Sequence, residues 1–307
     1  MELQNIQRVY LVGIGGIGMS GLARYFAHLG CIVCGYDKTA TDLTNDLHNE
    51  GIRAIFDDRE DWIPLSFQTP DPGTLVIYTP AIPQDSAILN YFRKRGFEML
   101  KRSQVLGLIS KSMYTIAVGG THGKTTTSSM VAHILKNSGK DCTAFLGGIS
   151  SNYNSNVLFG NNNILVVEAD EYDRSFLTLY PDIAIITSMD ADHLDIYGSH
   201  DQLVESFKKF ASQIKDKGIL IFHENLPFTS GITYSANGHA DAKAVNIRIE
   251  NGDFWFDFKN DNTHIKDIKL GIAGLHNIEN ATAAVEAALI VGVAPDLIKS
   301  ALGSFKG

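Results

Sequence analysis

A glycine-rich turn between an apolar run and a helical pattern constrains this chain more than any other feature. Residues 115–127 read Thr-Ile-Ala-Val-Gly-Gly-Thr-His-Gly-Lys-Thr-Thr-Thr. The apolar run predicts a strand that enters the turn, and Gly-Lys-Thr opens a helix predicted over residues 125–137. This order is the context that a phosphate-binding P-loop requires, because backbone N–H groups and the positive helix end then face the phosphates. The turn therefore predicts an α/β fold with a polyphosphate ligand.

Two side chains of the turn add to this prediction. Lys124 supplies a charge near the β- and γ-phosphates, and the Thr125 hydroxyl is placed to ligate Mg²⁺. The loop is a variant, because Val118 stands where the usual pattern has a glycine. A glycine-rich turn without a ligand is the alternative, but Gly-Lys-Thr at a helix start after a strand favours a binding loop.

Acidic segments follow two further apolar runs. Residues 164–167 precede a Glu-Ala-Asp-Glu segment that starts at Glu168, and residues 183–187 precede an Asp-Ala-Asp-His segment that ends at His193. In a parallel sheet both segments lie at the carboxyl edge, where α/β folds place their chemistry. Mg²⁺ prefers oxygen ligands and accepts an occasional imidazole, so Glu168, His193 and phosphate form a predicted metal site. Solvated acidic loops are the alternative.

A second glycine motif, Gly-x-Gly-x-x-Gly over residues 13–18, lies between a predicted strand and a predicted helix. Asp37 ends the next predicted strand, which completes a dinucleotide-binding fingerprint. Alone, the motif favours an NAD-dependent dehydrogenase. With a P-loop downstream it favours another pyrophosphate ligand, such as a UDP group, whose phosphates suit a helix N-terminus and whose sugar suits the acid. The motif by itself does not separate UDP from NAD.

Apolar runs and amphipathic patterns alternate along the chain, which favours parallel βαβ units. Strands are predicted at residues 8–12, 31–36, 75–78, 97–100, 114–118, 164–167, 183–187 and 218–222. Helices are predicted at residues 19–29, 125–137, 200–214, 277–291 and 295–302, with a short one inside 101–112. Asn-Gly at 251–252, between alternating runs, predicts a β-hairpin. We expect a Rossmann-like N-terminal domain over 1–102, then a P-loop α/β central domain with a small β-hairpin region over 103–307.

Composition excludes several classes of protein. The net charge is −8 and no Lys/Arg block is present, which argues against a nucleic-acid binder. The three cysteines do not form a disulfide framework, and Cys31-x-x-Cys34 lies in an apolar run typical of a core strand rather than of a redox or metal pair. The sequence shows no signal peptide and no apolar stretch of about 18 residues, so we expect a soluble, cytoplasmic protein without a membrane span. The oligomeric state stays open.

Five motifs together resemble the Mur ligases of peptidoglycan synthesis, over nearly the whole chain. They are Gly-Ile-Gly-Gly-Ile-Gly-Met-Ser-Gly (13–21), Gly-Thr-His-Gly-Lys-Thr-Thr-Thr (120–127), Glu-Ala-Asp-Glu (168–171), Asp-His-Leu-Asp (192–195) and Gly-Leu-His-Asn-Ile-Glu-Asn-Ala (274–281). Their set and order are more specific than any one of them. The histidine at 122 resembles the branch that adds L-alanine, or its recycling relative, whereas other members carry asparagine there.

The resemblance implies roles for matching positions. Residues expected to bind a UDP-sugar are Gly15, Gly16, Ile17, Gly18 and Asp37. Residues expected to bind ATP are Gly120, Thr121, His122, Gly123, Lys124, Thr125, Thr126, Asn277 and Asn280. Thr125, Glu168 and His193 would hold Mg²⁺ or Mn²⁺, and Lys124, Glu168 and His193 would be catalytic. Helix capping is the alternative role for the two asparagines, and the role of the His122 side chain stays open between substrate, metal and loop shape.

The resemblance also implies a reaction. ATP would convert the carboxylate of UDP-N-acetylmuramic acid into an acyl phosphate, and the amine of L-alanine would then displace phosphate. The alternatives are the recycling ligase that adds a whole tripeptide to the same UDP-sugar and, more distantly, an NAD-dependent dehydrogenase, which leaves the P-loop unexplained.

Two departures from the family pattern bear on these expectations. Family members carry a third domain that binds the amino acid, and this chain stops where that domain would begin, so we expect a truncated chain that binds nucleotides without turnover. Some relatives carry a carbamylated lysine after the histidine. Lys208, which borders the apolar stripe of its helix, is a better candidate here than Lys209, which is spaced for an ion pair with Glu205.

Overall fold

A computed structural model describes residues 3–192 and 194–307. The chain forms two compact units, the first ending at Ile109 and the second beginning at Ser110. Within the described residues, no helix combines the length and the apolar character needed to cross a lipid bilayer.

The first unit is a parallel α/β sheet with helices. Its strands are β1 (Arg8–Val12), β2 (Ile32–Tyr36), β3 (Arg53–Ile55), β4 (Thr74–Tyr78) and β5 (Glu98–Lys101). Its helices are α1 (Ile17–His28), α2 (Asp42–Asn49), α3 (Ala87–Arg95) and α4 (Arg102–Ser112), the last of which runs into the second unit. Among the described residues the strand order is β3-β2-β1-β4-β5. Chain order reverses beside β1, which is where such sheets form a ligand crevice.

Local signals account for the helix limits of the first unit. Helix α2 begins with a capping box, in which the Thr41 hydroxyl accepts from the Thr44 amide and the Thr44 hydroxyl accepts from the Thr41 amide. The Ser86 hydroxyl caps α3 by accepting from the Leu89 amide, and Gly96 ends that helix at φ +74°. Helix α1 differs, because Gly16 at its N-cap offers no side-chain bond. No side-chain cap therefore competes with a ligand at the start of this helix.

The second unit is built on a larger, mostly parallel sheet. Its strands are β6 (Tyr114–Gly119), β7 (Thr143–Ser150), β8 (Ser155–Leu158), β9 (Ile164–Ala169), β10 (Ile183–Ile186), β11 (Ile219–His223), β12 (Ile232–Ser235), β13 (Ala242–Glu250), β14 (Asp253–Lys259) and β15 (His264–Leu270). Its helices are α5 (Lys124–Asn137), α6 (Leu194–Tyr197), α7 (His200–Ala211), α8 (Leu275–Ile290) and α9 (Pro295–Ser304). The order among described residues is β15-β14-β13-β12-β11-β10-β6-β9-β7-β8, antiparallel only from β13 to β15 and between β7 and β8.

Most of helix α5 is buried. Its residues from Thr127 to Leu135 are buried, and it packs on α8. Helix α8 is rich in alanine, with Ala281, Ala284 and Ala288 inaccessible to solvent. Small side chains let the two helix backbones approach closely, so the turn before α5 rests on a rigid support.

Elements with a clear apolar pattern lie where the sequence predicts them. The predictions for β1, β6, β9, α5, α8 and the Asn-Gly hairpin are confirmed to within a few residues at their ends. The predicted helix over 200–214 is too long, because α7 ends at Ala211 and the next residues form turns. The pattern missed α2, α3, α6, β3, β7, β8, β12 and β15. Helix α2 is polar and β7 is interrupted by two glycines, so neither shows a clear apolar period.

We expect Gly35→Ala to destabilise the first unit. A Cβ at Gly35 would lie 2.3 Å from the Leu11 carbonyl oxygen and 2.9 Å from the Ile14 Cβ, so the turn after β1 would have to move. Overpacking of this kind lowers the free energy of unfolding by about 1–3 kcal/mol. Urea unfolding followed by Trp62 fluorescence measures it, in a Trp255→Phe background that removes the chain's other tryptophan.

The matched control is Gly16→Ala in the same unit. There the nearest heavy atom to the added Cβ lies 3.7 Å away and the backbone φ is −70°, so only the weaker N-cap preference of alanine acts and the free energy of unfolding should fall by less than about 1 kcal/mol. Equal urea midpoints for the two variants would contradict the close approach at Gly35.

Candidate functional site

Two glycines of the turn between β6 and α5 have no room for a side chain. Gly120 has φ +138°, and a Cβ there would lie 2.1 Å from the Thr187 hydroxyl oxygen. Gly123 has φ +80°, and a Cβ there would lie 2.6 Å from the Asn280 Oδ1. The turn is therefore pressed between the end of β10 and helix α8, and both neighbours fix its shape.

Hydroxyls that follow β10 brace the turn. The Ser188 Oγ accepts from the His122 amide at 2.7 Å and lies 2.9 Å from the Thr121 hydroxyl. Thr187 donates from its hydroxyl to the His122 carbonyl. The Asp190 amide donates to the Thr121 hydroxyl at 3.0 Å. Sequence reasoning missed Thr187 and Ser188, although hydroxyl residues at the carboxyl end of a neighbouring strand were a usable signal.

Lys124 lies at the mouth of the turn. Its ammonium donates to the Gly120 carbonyl at 2.6 Å and to the Glu171 carboxylate at 2.9 Å. The Glu171 side chain is 1% exposed and the Lys124 side chain 14%. Glu171 was not among the predicted site residues, although it ends the acidic segment that begins at Glu168. The structure thus joins the predicted lysine to an acid that the pattern did not single out.

Glu168, Thr125 and Gly147 meet where β9, α5 and β7 converge. The Gly147 amide donates to the Glu168 carboxylate at 3.1 Å, and the Thr125 hydroxyl forms a hydrogen bond with the same carboxylate. Burial raises the pKa of Glu168, while the Thr125 bond and the charge of Lys124 act in the opposite direction. A carboxylate and a hydroxyl at a helix N-terminus give a hard-oxygen setting.

This pair of oxygens fits Mg²⁺, which takes few protein ligands and completes its shell with phosphate and water. Among the described residues, no group of three or more His, Cys, Asp or Glu side chains converges on one point. Such a site would therefore need ligands from the substrate. His193, the third predicted ligand, lies outside the described residues.

The two asparagines at the start of α8 have different surroundings. The Asn277 side-chain amide donates to the Ala273 carbonyl at 2.7 Å, which ties the first turn of α8 to the chain just before the helix and is not a capping bond. The Asn280 amide donates to the Asn277 Oδ1 at 3.3 Å, and its own Oδ1 lies against Gly123. Both side chains are buried. Asn280 therefore reaches the turn, and Asn277 positions it.

A cleft of about 580 Å³ opens beside the turn. Residues from several segments line it, among them Ser188, Asp190, His200, His223 and Glu279. The His223 Nε2 lies 3.5 Å from a Glu279 oxygen, and the hydrogen bond to Glu279 raises the pKa of His223. The cleft is large enough for a nucleobase and shares Ser188 with the turn.

The other predicted residues of the second unit lie at the surface. The His122 side chain is 70% exposed, with its Nε2 3.8 Å from an Asp190 oxygen. Thr126 is half-buried in the first turn of α5. Lys208 is exposed and its ammonium lies 2.7 Å from the Glu205 carboxylate, as a surface ion pair. The His122 ring points to solvent, and it is the backbone amide and carbonyl of His122 that bond Ser188 and Thr187 and shape the loop.

The first unit carries its own glycine turn. The Gly15 amide donates to the Asp37 carboxylate at 2.7 Å, so this acid braces the turn directly. Gly16 is the N-cap of α1, and Ile17 opens the helix with an exposed side chain. A Cβ at Gly18 would lie 2.2 Å from an Arg102 guanidinium nitrogen. A guanidinium beside a helix N-terminus suits a diphosphate.

Arg102 was missed in the sequence, where it reads only as a basic residue in a connector. The structure places it directly after β5, at the carboxyl edge of the sheet. That position, and not its residue type alone, brings it to the first turn of α1.

Family models match both units. The model described as "Mur ligase family, catalytic domain" matches residues 8–114, and "Mur ligase middle domain" matches residues 118–288. The chain is 51% identical to the UDP-N-acetylmuramate–L-alanine ligase of Flavobacterium psychrophilum, over 100% of this chain and 68% of that protein.

Solved structures agree with this assignment. The UDP-N-acetylmuramate–alanine ligase of Thermotoga maritima superposes with a TM-score of 0.84 at 29% identity, over 98% of this chain and 69% of that one. The UDP-N-acetylmuramate:L-alanyl-gamma-D-glutamyl-meso-diaminopimelate ligase of Neisseria meningitidis gives a TM-score of 0.86 at 23% identity, over 98% of this chain and 99% of that one. The chain belongs to the Mur ligase family, whose members are ATP-dependent ligases that form amide bonds.

Proposed function

We propose that this protein binds ATP and UDP-N-acetylmuramic acid and joins the sugar's carboxylate to L-alanine, in the cytoplasm. One observation carries the proposal: Lys124 and Thr125 open the helix that follows the braced turn, and Glu168 of β9 is hydrogen-bonded to Thr125. The turn thus offers a cation and a pair of metal-binding oxygens to one triphosphate. The 51% identity to an alanine-adding ligase supports the choice of substrates.

The turn is suited to the phosphate chain of ATP. Helix α5 has no side-chain cap at Gly123, so its first amides are available to an anion. Gly120, Thr121, Gly123 and Thr126 are proposed to surround the phosphates with the backbone, and Lys124 to contact the β- and γ-phosphates. The nucleobase would then enter the cleft beside Ser188, and Asn280 borders the turn at Gly123.

Thr125 and Glu168 are the residues of this unit that would hold Mg²⁺ or Mn²⁺, with His193 as a third ligand by resemblance. When bound, the ion would neutralise charge on the γ-phosphate. Glu168 is held toward this point by the Gly147 amide. Its raised pKa means that it binds a metal less well as pH falls, since the protonated form is a poor ligand.

The chemistry follows from the poor leaving group of a carboxylate. The muramyl carboxylate attacks the γ-phosphorus and the bond from that phosphorus to the β-phosphate oxygen breaks. ADP leaves, and the transferred phosphoryl group stays on the carboxylate as an acyl phosphate. The alanine amine then attacks the acyl carbon, and phosphate leaves. Lys124 lowers the repulsion between the two anions in the first step, which is where a fixed cation accelerates phosphoryl transfer.

The first unit is proposed to hold the UDP group. Gly15, Gly16, Ile17 and Gly18 form the glycine turn and the start of α1, and Arg102 adds a guanidinium beside Gly18. Asp37 accepts from the Gly15 amide and keeps a second oxygen directed at the Thr39 amide, 3.2 Å away. A sugar hydroxyl would have to share this acid with the turn.

The second candidate is the tripeptide-adding recycling ligase, favoured by the fold similarity to the Neisseria protein. Phosphate release separates the two, measured on the protein at the full length of its relatives with alanine, serine, glycine and tripeptide offered in turn. We expect release that requires UDP-N-acetylmuramic acid and is fastest with alanine. Faster release with tripeptide would favour the recycling reaction. NADH binding to the first unit would instead revive the dehydrogenase hypothesis.

Lys124→Ala should abolish ATP binding and leave UDP-N-acetylmuramic acid binding nearly unchanged. The ammonium is the phosphate-facing cation of the turn, whereas the UDP group is assigned to the other unit. Titration calorimetry with each ligand on the 307-residue chain measures both affinities. Lys209→Ala, which removes an exposed lysine, is the control and should alter neither. Loss of both affinities in Lys124→Ala would argue against separate sites.

Gly147→Ala should weaken metal binding without unfolding the unit. A Cβ at Gly147 would lie 2.2 Å from a Glu168 carboxylate oxygen, and this flexible side chain would move rather than the backbone. Loss of the hydrogen bond that orients a metal ligand, here the bond from the Gly147 amide to Glu168, lowers metal affinity about 10- to 100-fold. Mn²⁺ binding in the presence of a non-hydrolysable ATP analogue, followed by electron paramagnetic resonance, measures it.

The neighbouring glycine is the matched control for this variant. A Cβ at Gly148 would lie 3.6 Å from the Thr125 methyl carbon, an ordinary contact, so Gly148→Ala should keep the Mn²⁺ affinity of the wild type. If Gly147→Ala and Gly148→Ala bind Mn²⁺ alike, Glu168 does not hold the ion.

A further inference from the structure

The ammonium of Lys124 is engaged by the protein itself. A lysine ammonium has three N–H donors. Here it lies 2.6 Å from the Gly120 carbonyl, 2.9 Å from the Glu171 carboxylate and 3.5 Å from the Thr121 carbonyl. The first two are strong contacts and the third is weak. An incoming phosphate must therefore compete with Glu171 for this cation.

The backbone at Glu171 is held from two directions. Its carbonyl accepts from the Tyr197 hydroxyl at 2.6 Å and from the Arg174 amide at 2.9 Å. The Arg174 guanidinium carbon lies 5.3 Å from the centroid of the Tyr197 ring. The turn that follows contains two consecutive non-glycine residues in the left-handed region, Asp173 at φ +52° and Arg174 at φ +56°. Such backbone is unfavourable and persists only where surrounding contacts impose it.

This anchoring places a full negative charge in a buried position. The Glu171 side chain is almost inaccessible, and a buried carboxylate needs a counter-charge. Lys124 supplies that charge, and Asp170 and Glu168 are the other acids of the same segment. The arrangement is therefore an ion pair inside the phosphate-binding turn.

Two effects of Glu171 on nucleotide binding oppose each other. By fixing Lys124 it lowers the entropy lost when phosphate binds, but its charge repels the phosphates. At separations of a few ångströms in a partly buried site, the interaction between unit charges exceeds the rotamer entropy of one lysine side chain. The repulsion is therefore the larger effect.

We propose that Glu171 is the resting counter-ion of Lys124, a carboxylate that occupies the ammonium until a polyphosphate displaces it. The inference rests on the proposed function of the turn as an ATP site. Glu171 therefore weakens the binding of a polyphosphate more than that of a monophosphate, because a ligand with phosphate charge at the turn must draw Lys124 away from a buried acid. Nucleotides without β- and γ-phosphates gain nothing from this exchange.

Glu171→Gln tests the proposal, because it keeps the shape and the acceptor for Lys124 and removes the charge. Dissociation constants for ATP, ADP and AMP in excess Mg²⁺ are measured on the 307-residue chain by displacement of a fluorescent nucleotide. We expect ATP to bind tighter by on the order of tenfold, ADP by less, and AMP within about twofold of the wild type. A residue with only a structural role predicts weaker binding of all three.

Glu205→Gln is the matched control, since it removes the same charge from an exposed lysine partner and should leave all three constants unchanged. Glu171→Asp keeps the charge and should not reproduce the gain for ATP. Tyr197→Phe removes the hydroxyl that anchors the Glu171 carbonyl and should give a smaller gain in the same direction, so the proposal stays testable if Glu171→Gln fails to fold.

Unchanged or weaker ATP binding in both Glu171→Gln and Tyr197→Phe overturns the proposal, as does an equal gain for ATP and AMP. Failure of the proposed function looks different. In that case the wild type binds no ATP, whereas failure of this inference leaves wild-type ATP binding intact and the Glu171→Gln affinity no higher.

Discussion

The burial of helix α5 from Thr127 to Leu135 is the constraint on which the rest of the second unit depends. A buried helix still has N-terminal amides without intrahelical partners, and no side chain caps this one at Gly123. Burial fixes where those amides point, and the absence of a cap leaves them for a ligand. On one side, the hydroxyls of Thr187 and Ser188 bond the backbone of the turn that precedes α5. On the other side, the Asn280 side chain lies against Gly123.

The two units meet the same problem with different chemistry. In the first, the amide of Gly15 donates to a carboxylate, that of Asp37. In the second, the amide of His122 donates to a neutral hydroxyl, that of Ser188. The Asp37 carboxylate is charged, and it lies where a sugar hydroxyl is also proposed to bind. The Ser188 hydroxyl is neutral, so it adds no repulsion where three phosphates are proposed to bind. The acid beside the second turn, Glu171, is instead paired with Lys124.

Local pattern predicted the buried central strands and the glycines of both turns, because each of these is set within one short segment. It missed Ser188, which lies 68 residues after Gly120, and Arg102, which lies 84 residues after Gly18, since only the sheet order brings each of them to its turn. The pattern predicted the acidic segment that contains Glu171, but it did not predict the contact between Glu171 and Lys124. Tertiary contacts impose the left-handed turn that follows it, so the pattern predicted acids near the nucleotide without predicting their partners.

The alanine face of α8 has a consequence for how this site can change over time. Ala281 and Ala284 pack in the core, and Asn280, the residue directly before Ala281, borders the phosphate turn. A mutation that enlarges either alanine overpacks the core, so α8 has to shift and Asn280 moves with it. An inhibitor that binds through Asn280 would thus contact a side chain whose position resistance mutations cannot shift without first opening the hydrophobic interior.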